Sequence, residues 1–193
     1  MELWDIYDYD RNRTGRTMER GGASPDGAMH LVVHICIFNQ AGEMLIQKRQ
    51  PFKQGWSGMW DITVGGHAVA GDTSRMAAGR ELLEELGLAI DFSDKLPALS
   101  LTFSHGFDDY YLIEQEVDLS ALRLQPEEVA AVEWASQEEI LRRIDEGNFI
   151  PYYPDFIRLL FHMHHKPGAR FRPDTSRPEP KPELHSHTKE NQA

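Results

Sequence analysis

Cysteine is almost absent from this 193-residue chain. Cys36 stands alone, which excludes an intramolecular disulfide framework and implies a reducing compartment. The thiol lies within Leu31-Val32-Val33-His34-Ile35-Cys36-Ile37-Phe38, a run that reads as a buried strand rather than as the setting of a nucleophile. Apolar runs long enough to cross a bilayer are also missing. The start, Met1-Glu2-Leu3-Trp4-Asp5, has neither the basic nor the apolar region of a secretion signal. A cytoplasmic protein with no membrane partner is expected.

Positive charge is the next scarcity: 20 Lys and Arg stand against 31 Asp and Glu, a net charge of −11. Residues 166–193 hold six basic and four acidic side chains, so residues 1–165 carry −13. A domain this negative repels a phosphate backbone, and nucleic acid is not an expected partner. An anionic small substrate meets the same repulsion unless a bound cation reverses the local sign.

What remains is ordinary globular material, 40% hydrophobic and 26% charged, in a length that suits one domain. Five of the eleven prolines fall in residues 166–193, where Arg177-Pro178-Glu179-Pro180-Lys181-Pro182-Glu183 reads as an extended, solvated tail. The division is a domain over 1–165 and a Pro-rich, disordered tail over 166–193. Strand signals occur at residues 3–8 and 16–20 around a turn at 11–15, then at 31–38 and 43–49 around Asn39-Gln40-Ala41-Gly42. Further candidates are 59–65, 98–103, 110–117 and 129–134. Helices are predicted at 73–86, 136–146 and 153–165, with Asp72 and Ser136 as N-caps and Gly87 and Gly147 as stops. Strands and helices interleave without a βαβ repeat, which predicts an α+β fold with a mixed β-sheet packed between α-helices.

The first predicted helix carries the chemistry. At about 100° per residue Glu81, Glu84 and Glu85 share one arc, opposite Gly79, Leu82, Leu83 and Leu86. A solvated face would be better served by lysines among the glutamates, because Glu81 and Glu85 form a like-charge i,i+4 pair and only Glu84 has a basic helical partner, Arg80. Converging carboxylates suit a hard divalent cation, which prefers oxygen ligands.

These residues carry a resemblance. Gly66-x5-Asp72-x7-Arg80-Glu81-Leu82-x-Glu84-Glu85-x-Gly87-Leu88 resembles the Nudix box, and the wider likeness runs from about His30 to Trp134. The resemblance implies a Nudix-type fold and Mg²⁺- or Mn²⁺-dependent hydrolysis of a diphosphate linkage in a nucleoside diphosphate derivative or similar small molecule. It implies that Glu84 and Glu85 ligate metal, that Glu81 ligates metal or orients the attacking water, and that the Gly65 carbonyl is a further ligand. Arg80 belongs to the same catalytic set, and Gly66, Asp72 and Gly87 are structural positions of the box. Asp72 departs from the family's usual glutamate, so its pairing with Arg80 is expected to be looser or bridged by water. Members often add a carboxylate from outside the box; Glu128 is the candidate, with Glu127 beside it and a solvated loop carboxylate as the plain alternative.

The run Ile37-Phe38-Asn39-x-x-Gly42-x-x-Leu45-x-x-Lys48-Arg49, with Trp56-x-Gly58-x-Trp60 and Gly66-His67, also resembles isopentenyl-diphosphate isomerase. That enzyme's proton-shuttling cysteine would fall at Gly65. Of its three metal-binding histidines His30 and His67 match two, while the third falls near Ala23. A hydrolase of the isomerase-like branch is the leading reading, with isomerase and a non-catalytic nucleotide-binding module as alternatives.

Lys48, Arg49 and Lys53 form a basic cluster just before Trp56 and Trp60. Phosphate contact and stacking on a flat group are one reading; solvated cations at a strand end are the other. His162, His164 and His165, near a helix end, and His185 and His187 in the tail are read as structural or incidental. A homodimer stays open.

Overall fold

A computed structural model describes residues 2–22, 25–165 and Gly168. The predicted tail, apart from Gly168, lies outside the described residues. Among the described residues nine strands and three α-helices follow one another as β1 (Leu3–Tyr7), β2 (Arg13–Glu19), β3 (His30–Phe38), β4 (Met44–Arg49), β5 (Trp60–Asp61), β6 (Val64–His67), α1 (Ser74–Leu86), β7 (Leu99–Phe103), β8 (Gly106–Glu114), β9 (Val129–Ala135), α2 (Gln137–Asp145) and α3 (Pro154–Met163).

Strands β1 and β2 pair as a separate antiparallel hairpin, and the other seven form one mixed sheet in the order β5-β4-β3-β8-β7. Within it β3 and β8 are parallel from His30 opposite Gly106 to Phe38 opposite Glu114. β6 pairs with the start of β3, and β9 lies along β4.

The period of two along β3 explains the layers. Leu31, Val33, Ile35 and Ile37 face α1 residues Ala77, Ala78, Leu82 and Leu86 in one cluster. Cys36 and Phe38 face Ile140 of α2 and Ile157 and Leu160 of α3 in the other. Cys36 is fully buried, and burial pushes its thiol far above the usual range. The α+β architecture, a mixed sheet between helices, is as the sequence predicts. No helix among the described residues is long and apolar enough to cross a membrane.

Several local expectations are corrected. The first turn closes earlier than predicted because the Asp8 carboxylate accepts from the N–H groups of Asp10 and Asn12, and β2 resumes at Arg13. The strand expected over 59–65 is two strands. Between them the Thr63 hydroxyl donates to the Leu45 carbonyl and accepts from the Ile37 N–H at 2.9 Å, replacing ladder bonds by a side chain. Gly65 consequently sits in β6 opposite His34. β8 begins four residues before the predicted 110, through Asp108 and Asp109, which are poor strand formers. Asp109 is tolerated because Arg11, Ser74 and Ser100 all donate to its carboxylate.

Candidate functional site

Helix α1 is fixed at both ends. Thr73, not Asp72, is its N-cap, accepting from the Met76 N–H. Gly87 ends it in the left-handed region at φ 66°, with its N–H on the Leu83 carbonyl at 2.9 Å. Leu82 and Leu86 are fully buried against the sheet, each contributing about 1.5–3 kcal/mol, and this seats the glutamates over β6. Leu83, expected on the core face, is 53% exposed; Glu85 is buried in its stead.

Asp72 is free of the cap because it is engaged elsewhere. Its Oδ2 accepts from Arg80 Nε at 3.1 Å and Nη2 at 3.0 Å, a direct two-point contact rather than a loose or water-bridged one. Arg80 Nη2 also donates to the His67 carbonyl at 2.8 Å, while Nη1 reaches Glu81 at 2.9 Å and Glu84 at 3.1 Å. The glutamates therefore do have a cationic neighbour besides the i−4 pair. One guanidinium ties the loop before the helix to two carboxylates on it, a rigid fork that a lysine could not reproduce.

Gly66 is defined by the same crowding. A Cβ at this position would stand 2.1 Å from Glu81 Cδ, so the side chain of Glu81 lies where any residue but glycine would project. Glu85, on the buried side, accepts from Gln47 at 2.9 Å. Burial, aided by Glu81 and only partly offset by Gln47, pushes its carboxyl up to about 8. Glu81 is raised as well, by burial and against the pull of Arg80.

These groups line one cleft of about 270 Å³ with Glu2, Arg20, Arg49, Lys53, Gly65, Gly66, His67, Gln125 and Glu128. Glu128 is brought to the cleft; Glu127 does not line it. Lys53 makes a close ion pair with Glu128, and Arg49 and Lys53 supply positive charge to an otherwise acidic opening. Two predicted residues do not join. Lys48 lies on a different surface hollow with Trp60, Arg142 and Arg143, as strand alternation after Arg49 requires. Trp56, half exposed with φ at 53°, lines an adjoining cavity of about 430 Å³.

That cavity shares Arg49, Gly65, Gly66 and His67 with the glutamate cleft. Its other walls include His34 stacked on Tyr110 at 4.4 Å, and Asp61, whose Oδ1 accepts from Tyr152 at 2.9 Å. Burial pushes the Asp61 carboxyl above its usual range. His67 stacks on Trp4 at 4.1 Å and is pushed down to about 4 by burial and by His30, so its ring is neutral at pH 7.

Sequence reasoning missed Glu2, Arg20 and Gln125, which arrive from the hairpin and from the loop before β9 and carry no local signal. It also gave no site role to Asp61 and His34. Both were flagged in principle by being ionisable within apolar strand runs.

A family model described as the NUDIX domain matches residues 28–156, and that span contains the whole glutamate helix. The chain belongs to the Nudix family. An uncharacterized Nudix hydrolase of Listeria monocytogenes is 44% identical over 171 residues, covering 89% of this chain and 100% of that protein. An isopentenyl-diphosphate Delta-isomerase of Pectobacterium atrosepticum is 30% identical over 75% of this chain and 83% of its own length. A crystal structure of a Deinococcus radiodurans protein superposes with a TM-score of 0.67 at 25% identity, over 83% of this chain and 98% of that one. Proteins of the Nudix family generally use divalent metal ions and small diphosphate substrates, and the chain is a hydrolase at that level.

Proposed function

We propose that the chain hydrolyses a diphosphate linkage in a nucleoside diphosphate derivative or similar small molecule, with Mg²⁺ or Mn²⁺ held by the helix α1 glutamates. The observation that carries this reading is the meeting of Glu81, Glu84 and Glu85 with Arg49 and Lys53 in one cleft. The donor set fits a hard cation: it is all oxygen, and a carboxyl as strongly disfavoured in its charged form as Glu85 gains most from a cation beside it. Glu81, Glu84 and Glu85 would hold the ion, with the Gly65 carbonyl and Glu128 as further ligands. When bound, it supplies positive charge for the diphosphate and acidifies water.

The chain's own groups do the rest. Arg80 orients Glu81 and Glu84 through its fork. Arg49 and Lys53 draw the phosphates in and balance negative charge as the linkage breaks. Glu81, held against Gly66 with its proton affinity raised by burial, is the candidate to take a proton from the attacking water. The group attached to the diphosphate fits the adjoining cavity, where Trp56 and Tyr110 offer flat surfaces and Asp61 and Asp108 offer acceptors.

The isomerase reading is disfavoured on chemistry. Moving a double bond needs two acid/base groups flanking the hydrocarbon. Gly65 has no side chain, and Cys36 is fully buried within β3. The deciding experiment assays purified protein with Mg²⁺ against nucleoside diphosphates, nucleotide sugars, dinucleotides and isoprenoid diphosphates. Metal-dependent cleavage of at least one class, abolished by chelator, is expected. Tight binding without cleavage of any would assign the chain to the binding modules instead.

A further inference from the structure

Helix α3 ends at Met163, and its last turn is pinned where β3 and β8 also end. Ile157, Leu160 and Met163 are buried, and the His164 ring stacks on Phe38 at 4.1 Å with 11° between planes. Phe38 in turn pairs with Glu114, the last residue of β8. Packing therefore delivers two consecutive histidines to a strand-end carboxylate. One ligand atom from each of Glu114, His164 and His165 lies within 4.8 Å of the others.

The ring of His164 is not simply a filler. Its Nδ1 contacts the Phe161 carbonyl at 2.5 Å. A carbonyl only accepts, so Nδ1 carries the hydrogen and Nε2 carries the lone pair. That Nε2 is buried and has no hydrogen-bond partner among the described residues. An imidazole with one nitrogen donating to a carbonyl and the other presenting a lone pair is the arrangement of a metal-ligating histidine. An exposed His165–Glu114 ion pair would account for two of the three groups, but such pairs contribute little and leave His164 Nε2 unexplained.

We propose that Glu114, His164 and His165 form a second metal site, for a borderline transition ion such as Zn²⁺, separate from the glutamate cleft. None of the three lines that cleft or its adjoining cavity. Two imidazole nitrogens and one carboxylate oxygen with an open fourth position suit Zn²⁺, whereas Mg²⁺ favours oxygen ligands alone. Zinc ligands stand about 2.0–2.2 Å from the ion, so their separations must close below 4.8 Å. Glu114 and His165 have side chains 53% and 54% exposed and are free to turn, while stacked His164 supplies the fixed anchor. Binding would clip the end of α3 to β8 and stabilise the native chain by mass action.

The test titrates Zn²⁺ calorimetrically into the full chain with Mg²⁺ in excess, so that the glutamate cleft is occupied by the harder ion. The expected result is one Zn²⁺ per chain with Kd below about 0.1 mM and a raised melting temperature. His164→Ala should lose that equivalent; His165→Ala and Glu114→Gln should each weaken it by about tenfold or more. Each variant should keep Mg²⁺-dependent hydrolysis within about twofold, and the Co²⁺ absorption that reports nitrogen ligation in wild type should fall in each. His165→Ala, at an exposed position, keeps the test valid if His164→Ala fails to fold. A tail variant, His185→Ala with His187→Ala, should bind as wild type does. Unchanged Zn²⁺ affinity in His165→Ala and Glu114→Gln, or loss of binding in the tail variant alone, would overturn the site.

Discussion

Replacing Gly66 with alanine inserts a methyl carbon into space that Glu81 already fills. The new Cβ would lie 2.1 Å from Glu81 Cδ and 2.5 Å from both Cγ and Oε1. Carbon atoms do not approach within 3.0 Å without something shifting, so the carboxylate must retreat by about 1 Å. The backbone need not move, because the obstructed atoms are the far end of a flexible side chain. Fold stability should therefore fall by no more than the Arg80–Glu81 contact contributes, about 1 kcal/mol or about 2–4 °C in melting temperature. Turnover should fall much further, by about 10²-fold, as expected when a reacting group is displaced by about 1 Å. The assay is Mg²⁺-dependent phosphate release by Gly66→Ala, Glu81→Gln and the double variant, beside thermal melts of all three. If the loss acts through Glu81, adding Gly66→Ala to Glu81→Gln should cost little more. Full additivity of the two losses, or near-normal turnover in Gly66→Ala, would refute the link between this glycine and the proposed catalytic role of Glu81.

Glu84→Gln should cut turnover by about 10²–10³-fold, the loss typical of one preorganised electrostatic contact. Its melting temperature should hold, because the half-exposed Glu84 gives up only a surface pair with Arg80. A pH series of melts in chelator should separate wild type from Glu85→Gln. The folded Glu85 carboxyl sits at about 8 against an ordinary 4.5, so the folded state retains a proton that the unfolded chain releases. That contribution is fully present below about pH 4.5 and is lost as pH rises to about 8, and a wild-type advantage that grew with pH instead would contradict it. Isopentenyl diphosphate incubated in heavy water should take up no deuterium at catalytic rates, and label exchange without phosphate release would overturn the hydrolase reading.

The parts of the fold that the sequence displayed are those whose signal is local. The apolar run at residues 31–38 and the stop at Gly87 depend on neighbours in the chain, and both appear in the structure as read, as strand β3 and as the end of α1. Two of the errors arose where a distant group overrode local preference. Thr63 interrupts an apolar run because Leu45 and Ile37 lie beside it, and Asp109 enters a strand because Arg11 reaches it from the hairpin. Nothing in residues 59–65 or 106–110 carries that information.

The candidate site divides in the same way. The glutamates and Arg80 share one helix, so their spacing alone brings them together, whereas the opposite wall of the cleft draws on the hairpin, the β4 end and the loop before β9. Lys48 and Arg49 are adjacent in sequence and both basic, yet pleating sends them to different hollows, and composition cannot distinguish them. Asp72 makes the same point in reverse. One methylene shorter than the family's glutamate, it still contacts Arg80 directly because the guanidinium reaches the loop, and Thr73 takes over the cap that aspartate would otherwise serve. A cluster that a single helix carries is therefore readable from its period, while a cleft built across several elements becomes readable only once their packing is known.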